Sequence, residues 1–173
     1  LSGDIDLLAG CQDACNLLSG NPGHGVYFQG SGISLHEISG NVIGLNRYGD
    51  TVLPNRLSGV AIFGGNRNIV GGLQDSLTGF NLRRHLISGN GEYGITMRGA
   101  LARANQILGN LIGTDIRAES ALGNYLAGIG ITGASKNMIG SSVRRSGNII
   151  AGNRLDGMFF DQAQGNHIIG NHI

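Results

Sequence analysis

Tryptophan is absent from this 173-residue chain, proline occurs only twice, and aromatic residues make up 5% of it. Glycine reaches 32 residues, but with so little proline and no Gly-X-Y period collagen is excluded. Charge is scarce as well. Twelve basic residues face eleven acidic ones, 13% of the chain in all, for a formal net charge of +1. That balance gives no electrostatic basis for nucleic acid or an anionic membrane as partner, and neither is expected. No apolar run approaches the ~20 residues that cross a bilayer, so membrane insertion is not expected either. Disorder is excluded from the other side: 40% of the residues are apolar, mostly Ile, Leu and Val, enough for the ordered core of a single domain.

No signal peptide is legible and the chain begins at Leu1 rather than Met, so it reads as a processed or excised piece of a longer protein. The only cysteines, Cys11 and Cys15, stand four apart. They read either as two small thiols or as a local disulfide of an oxidising compartment. With no second pair, Cys-x3-Cys is not expected to hold a metal, and no cofactor is expected at all.

What the chain does have is internal repetition, which must be read before any residue is given a role. An offset of 69 residues pairs Gly25 with Gly94, Gly30 with Gly99, Asn41 with Asn110, Asn55 with Asn124 and Gly71 with Gly140. Substitutions between the copies keep their character: Val26 with Ile95, Phe28 with Met97, Val60 with Ile129. An offset of 63 carries the pattern of 86–113 onward to Ile149. The expected organisation is therefore one domain, 1–173, with a partial repeat or cap at 1–15 and super-repeats at 16–85, 86–147 and 148–173.

Inside each super-repeat, glycine opens short runs of alternating apolar character, such as Gly25-Val-Tyr-Phe, Gly94-Ile-Thr-Met and Gly157-Met-Phe-Phe. Gly and Asn break the chain too often for any amphipathic helix. Short strands at a fixed phase, without helices to cross over, predict a parallel β-helix, with two coils per super-repeat preferred and three left open. Two apolar columns are expected in it. One holds Leu18, Ile38, Ile87, Ile107, Ile150 and Ile168; the other holds Val26, Val60, Ile95, Ile129 and Met158. The asparagines Asn21, Asn41, Asn90, Asn110, Asn153 and Asn171 each follow a glycine and are expected to stack as a corner ladder.

The N-x-I-x-G-N-x-I-G units, the G-I-x-I strands and the G-T-D…A-L-G-N stretch at 113–124 resemble right-handed parallel β-helix repeats of the pectate-lyase-like superfamily. They look most like the repeats of large secreted or surface proteins of bacteria. The resemblance covers 16–173 and implies an all-β, right-handed solenoid in an extracellular setting. It names no activity, because that fold carries lyases, hydrolases, epimerases, tailspikes and non-catalytic adhesins alike.

Gly23-His24-Gly25 resembles a Gly-His-Gly of polygalacturonase-type β-helix hydrolases, which also need upstream aspartates and a downstream Arg-x-Lys. Here the sole lysine is Lys136 and no Asp-Asp pair exists. The register instead puts His24, Tyr93 and Asp156 at one variable turn position. If the chain is an enzyme, the catalytic candidates are His24, Glu92, Asp156 and Asp161, with paired carboxylates as the acid–base element of glycoside hydrolysis. For binding, the two excursions at 45–58 and 114–127 share a phase and are expected on one side of the helix. They offer Arg47, Tyr48, Asp50 and Arg56, and Asp115, Arg117, Glu119 and Tyr125, a set that can stack on and hydrogen-bond sugars. Arg83-Arg84 and Arg144-Arg145 add basic pairs on another variable loop. The expectation is a structural or adhesive module of a secreted or cell-surface protein. Its partners would be a polysaccharide and, at the helix ends, adjoining coils, a cap or a neighbouring subunit. A carbohydrate-active enzyme (polysaccharide lyase, glycoside hydrolase or epimerase) is the alternative.

Overall fold

The structure is a computed structural model that describes residues 5–6, 10–11, 15–73, 83–144 and 146–173. An antiparallel pair, β1 (Ile5–Asp6) and β2 (Gly10–Cys11), precedes five coils of three short strands each. The first coil carries β3 (Leu17–Leu18), β4 (Val26–Gln29) and β5 (Glu37–Ile38). The second carries β6 (Val42–Ile43), β7 (Val60–Phe63) and β8 (Ile69–Gly71). Next come β9 (Leu86–Ile87), β10 (Ile95–Arg98) and β11 (Gln106–Leu108), then β12 (Leu111–Ile112), β13 (Ile129–Thr132) and β14 (Met138–Gly140). The fifth coil has β15 (Ile149–Ile150), β16 (Met158–Asp161) and β17 (His167–Ile169). Equivalent strands pair in parallel from coil to coil, giving three five-stranded sheets. The chain is an all-β parallel β-helix. Sheet one is β3-β6-β9-β12-β15, sheet two β4-β7-β10-β13-β16 and sheet three β5-β8-β11-β14-β17.

Alternation decides which side chains enter. Val26, Val60, Ile95, Ile129 and Met158 lie in register and face inward, as the sequence predicts. The other expected column does not exist as one. Leu18, Ile43, Ile87, Ile112 and Ile150 form a column of sheet one. Ile38, Val70, Ile107, Ile139 and Ile168 form a separate column of sheet three. The two are confounded in the sequence because both place an apolar residue three positions before an Asn that follows Gly, as in Leu18-Ser-Gly-Asn21 and Ile38-Ser-Gly-Asn41. Only pairing across coils separates them.

Sheet one is apolar on both faces, as strands buried on both sides must be. Its outer residues Val42, Leu86 and Leu111 are covered by Leu45 and Ile116 from the two excursions, with Cys11 and Cys15 alongside. Those cysteines form a disulfide.

The corners are held by amide ladders, three rather than one. Corner one, before sheet one, stacks Asn16, Asn41, His85, Asn110, Asn148 and Asn171. Corner two, between sheets one and two, stacks Asn21, Asn55, Asn90, Asn124 and Asn153. Corner three, between sheets two and three, stacks His36, Asn68, Asn105, Asn137 and Asn166. A typical rung is Asn105, whose backbone N–H and Nδ2 donate at 2.9 and 3.0 Å to Oδ1 of Asn137. Its Nδ2 also donates at 3.0 Å to the Gly65 carbonyl, so a polar group with no access to water is fully satisfied. The six asparagines expected as one stack therefore divide between corners one and two.

The glycine that opens each strand of sheet two is required by close approach. A Cβ on Gly94 would lie 2.7 Å from the Gly128 carbonyl oxygen and from Cγ2 of Ile112, and 2.8 Å from Nδ2 of Asn124. Gly94→Ala is expected to cost about 1–3 kcal/mol by overpacking. Gly32→Ala, where a Cβ meets nothing within 4 Å, is expected to be near neutral. Urea denaturation of both variants measures the contrast.

One rung of corner one is defective. His85 is wholly buried; its Nδ1 accepts the Asn41 N–H at 3.1 Å, and its backbone N–H donates to Asn110 Oδ1 at 3.0 Å, but Nε2 has no partner. Burial pushes the imidazole down to about 4, against a weaker opposing influence of the Ile38 and Asn41 backbone. The fold thus binds the neutral ring, while the unfolded chain takes up a proton near ~6.5. Stability from this group is complete above ~6.5 and falls by about 1.4 kcal/mol per pH unit down to about 4. His85→Asn is expected to flatten that fall and, by completing the ladder, to add about 1 kcal/mol at neutral pH. Denaturant midpoints across this pH window check both effects.

Candidate functional site on the outer face of sheet two

The four-residue strands of sheet two are the longest in the solenoid, and alternate residues leave the core. The outward positions are Tyr27, Ala61, Thr96, Gly130 and Phe159 in one row, and Gln29, Phe63, Arg98, Thr132 and Asp161 in the next. A further row flanks the strand starts. Backbone bonds from Gly25 to Ser58, Gly59 to Tyr93, Gly94 to Ala127 and Gly128 to Asp156 align His24, Ser58, Tyr93, Ala127 and Asp156.

Three rings from the first two coils meet there. His24 lies 5.0 Å from Tyr27 and 5.9 Å from Phe63, and Tyr27 meets Phe63 edge-on at 5.2 Å. The Arg98 guanidinium sits 5.3 Å above the Phe63 ring, a cation–π contact. The Ser58 N–H donates to His24 Nδ1 at 3.1 Å, and its hydroxyl donates to Glu92 Oε2 at 3.2 Å. Farther along, the Tyr93 ring covers Gly130, where a Cβ would lie 2.6 Å from it.

This arrangement brings His24 and Glu92 to one place, as sequence spacing alone does not. It does not make a nucleophile. Ser58 is fully buried, and its hydroxyl is committed to Glu92 rather than to His24. Asp156 belongs to the same flanking row as His24, two coils beyond Tyr93 and ~10 Å along the stack at ordinary strand spacing. Asp161 ends β16 at the opposite end of that strand. Among the described residues no hydrogen bond joins Glu92, Asp156 and Asp161, and no group of three or more His, Cys, Asp or Glu could hold a metal ion. A cleft of about 170 Å³ lies beside sheet three, lined by Ile69, Gln106 and the paired Glu37 and Arg83. It is small beside the several hundred Å³ of a typical ligand pocket.

The excursion residues serve mainly the excursions themselves. The Gly49 carbonyl accepts the Ile116 N–H at 3.1 Å, so both excursions stack on one side of the helix. Asp50 is bonded to Asn46 and Thr51, and Arg47 lies 5.2 Å over the Tyr48 ring. Asp115 accepts the Glu119 and Ser120 amides. Burial opposes its charge, but those amides with that of Arg117 and the Ser120 hydroxyl prevail and hold its carboxyl below the ordinary range. Arg117 and Glu119 are exposed on the same turn. Arg56 and Tyr125 instead belong to corner two, bonded through their backbone N–H groups to Asn21 and Asn90. Tyr125 is 56% exposed and carries the Arg154 guanidinium 5.0 Å over its ring. Tyr48 and Tyr125 therefore do not form a pair across the excursions. Of the basic pairs, Arg83 is bound to Glu37, Arg84 donates to the Gly109 carbonyl at 3.3 Å, Arg144 is exposed, and Arg145 lies outside the described residues.

Sequence reasoning misses Tyr27, Phe63, Arg98 and Ser58. Their signal is the outward phase of the Gly-opened strands, which becomes visible only when neighbouring coils are aligned. No family model, curated protein or solved structure matches the chain. Fold and face together define a parallel β-helix with a ring-bearing outer sheet.

Burial lowers the His24 imidazole, with the Glu92 charge raising it and Arg98 adding to the depression. NMR titration is expected to give a midpoint below ~6.5. Glu92→Gln should lower it further and Arg98→Ala should raise it; a midpoint above the ordinary value would contradict the burial.

Proposed function

We propose that the chain is a structural and adhesive module of a secreted or cell-surface protein, binding carbohydrate on the outer face of sheet two. The observation that carries this reading is the ring cluster His24–Tyr27–Phe63 capped by Arg98 on a rigid sheet. Aromatic faces with a polar tip suit the apolar faces and hydroxyls of sugars. Arg56, Tyr125 and Arg154 along corner two extend the same surface toward the excursions. The Cys11–Cys15 disulfide supports an oxidising compartment. The repeat units support a right-handed solenoid of the pectate-lyase-like kind.

A carbohydrate-active enzyme is the second reading, favoured by the single link His24–Ser58–Glu92 on that face. Incubation with a panel of neutral and acidic polysaccharides, following retention and chain length, separates the two. Retention without cleavage is expected, weakened about tenfold or more by Tyr27→Ala with Phe63→Ala, as for lost aromatic anchors. Shortened or unsaturated products would overturn the non-catalytic reading.

A further inference from the structure

Corner three carries basic residues in successive coils and no acid of its own. Its turns, residues 30–36, 64–68, 99–105, 133–137 and 162–166, contain no Asp or Glu. They do contain Arg67, Arg103 and Lys136, one each in the second, third and fourth coils. The Arg67 N–H donates to the Arg103 carbonyl at 3.1 Å, and Arg103 bridges Ser135, next to Lys136. The three stems therefore start from adjacent coils, ~4.8 Å apart along the axis. All three are exposed, and among the described residues the one ion pair is Arg83 with Glu37, so no described carboxylate pairs with them. The excursion side is the contrast, where Arg47, Arg56 and Arg117 are matched by Asp50, Asp115 and Glu119. In a chain of net charge +1, this positive row is a local excess.

The backbone adds a second observation. The residue before each corner-three ladder rung is left-handed: Leu35, Arg67, Ala104, Lys136 and Gly165 have φ of 62, 54, 56, 57 and 62°. Glycine fits that conformation without strain, whereas an L side chain costs on the order of 1 kcal/mol. Two of the five positions nevertheless carry long cations. Arg98, at the end of β10, joins this row to the Phe63 ring.

We propose that the ligand of the ring cluster is an anionic polysaccharide whose charges lie along Arg67, Arg103 and Lys136. This rests on the carbohydrate-binding reading and names its ligand class. A sugar polymer suits the rings better than a nucleic acid does. Tyr27 and His24 both meet Phe63 edge-on, at 86 and 78°, so the cluster leaves no parallel slot for a base to enter. Guanidinium groups bind carboxylate and sulfate through paired hydrogen bonds, and the ammonium of Lys136 adds a point charge.

The test uses one backbone in three forms: dextran, carboxymethyl-dextran and dextran sulfate, with a single-stranded oligodeoxythymidylate as a fourth probe. The charged dextrans should be retained at least about tenfold more tightly than dextran at low salt, and the gap should close at high salt. Arg67→Gln with Arg103→Gln and Lys136→Gln should abolish the gap and leave dextran retention and the far-ultraviolet spectrum unchanged. Tyr27→Ala with Phe63→Ala should weaken all three dextrans. Equal retention of charged and neutral dextran would overturn the anionic ligand while leaving the carbohydrate reading intact. Retention of the oligonucleotide as tight as that of dextran sulfate would overturn the polysaccharide assignment. Failure to retain any dextran would sink both readings together.

Discussion

The primary carboxamide of asparagine is the group on which this solenoid depends. It accepts through Oδ1 and donates twice through Nδ2, and a corner needs all three functions. The chain turns away from sheet geometry there, leaving a backbone N–H and carbonyls that water cannot reach. Asn105, Asn110 and Asn137 satisfy these groups within the stack and are themselves satisfied. Unpaired, each such group would cost a few kcal/mol (about 1–3). Three ladders repeated over five coils leave little freedom in how the chain may turn.

The strands between the corners can then be very short, because register is set by the ladder rather than by strand length. Two residues suffice in sheet one, where Val42, Leu86 and Leu111 point outward beneath the excursions while Ile43, Ile87 and Ile112 fill the interior. Sheet two, with four, has the longest outer face, on which Tyr27, Arg98 and Phe159 are exposed, Phe63 is half-buried, and Ala61, Thr96 and Gly130 are buried. Its alternation supplies both the core column of Val60 and Ile95 and the platform of Tyr27, Phe63 and Arg98. The same strands thus hold the fold together and carry the candidate site.

The solenoid was legible from glycine and asparagine spacing, since the pairing of Gly25 with Gly94 and Asn55 with Asn124 survives substitution elsewhere. What escaped followed from the length of that repeat. An offset of 69 aligns the first coil with the third and skips the coil between, so it does not set residues of adjacent coils side by side. Phe63 and Arg98 meet one coil apart, and Leu18 and Ile38 share a local spelling although they belong to different sheets. The third ladder was hidden for another reason. Asn68, Asn105 and Asn137 follow Arg67, Ala104 and Lys136 instead of glycine, and His36 stands where Asn would be the clue. The charges of the excursions are conspicuous in the sequence, whereas Leu45 and Ile116, which seat them on sheet one, resemble any core residue.

The ladders have a polarity. In each, the backbone N–H and one Nδ2 hydrogen of a rung reach the side chain of the coil that follows, while Nδ2 also reaches back to a carbonyl of the coil before. A coil leaving the ribosome therefore finds three sets of donors already aimed at it by its predecessor. Each added coil brings the Oδ1 that these donors require and an Nδ2 hydrogen for a carbonyl its predecessor left open. The solenoid is in this sense a template for its own elongation, each coil presenting the polar groups that the next one satisfies.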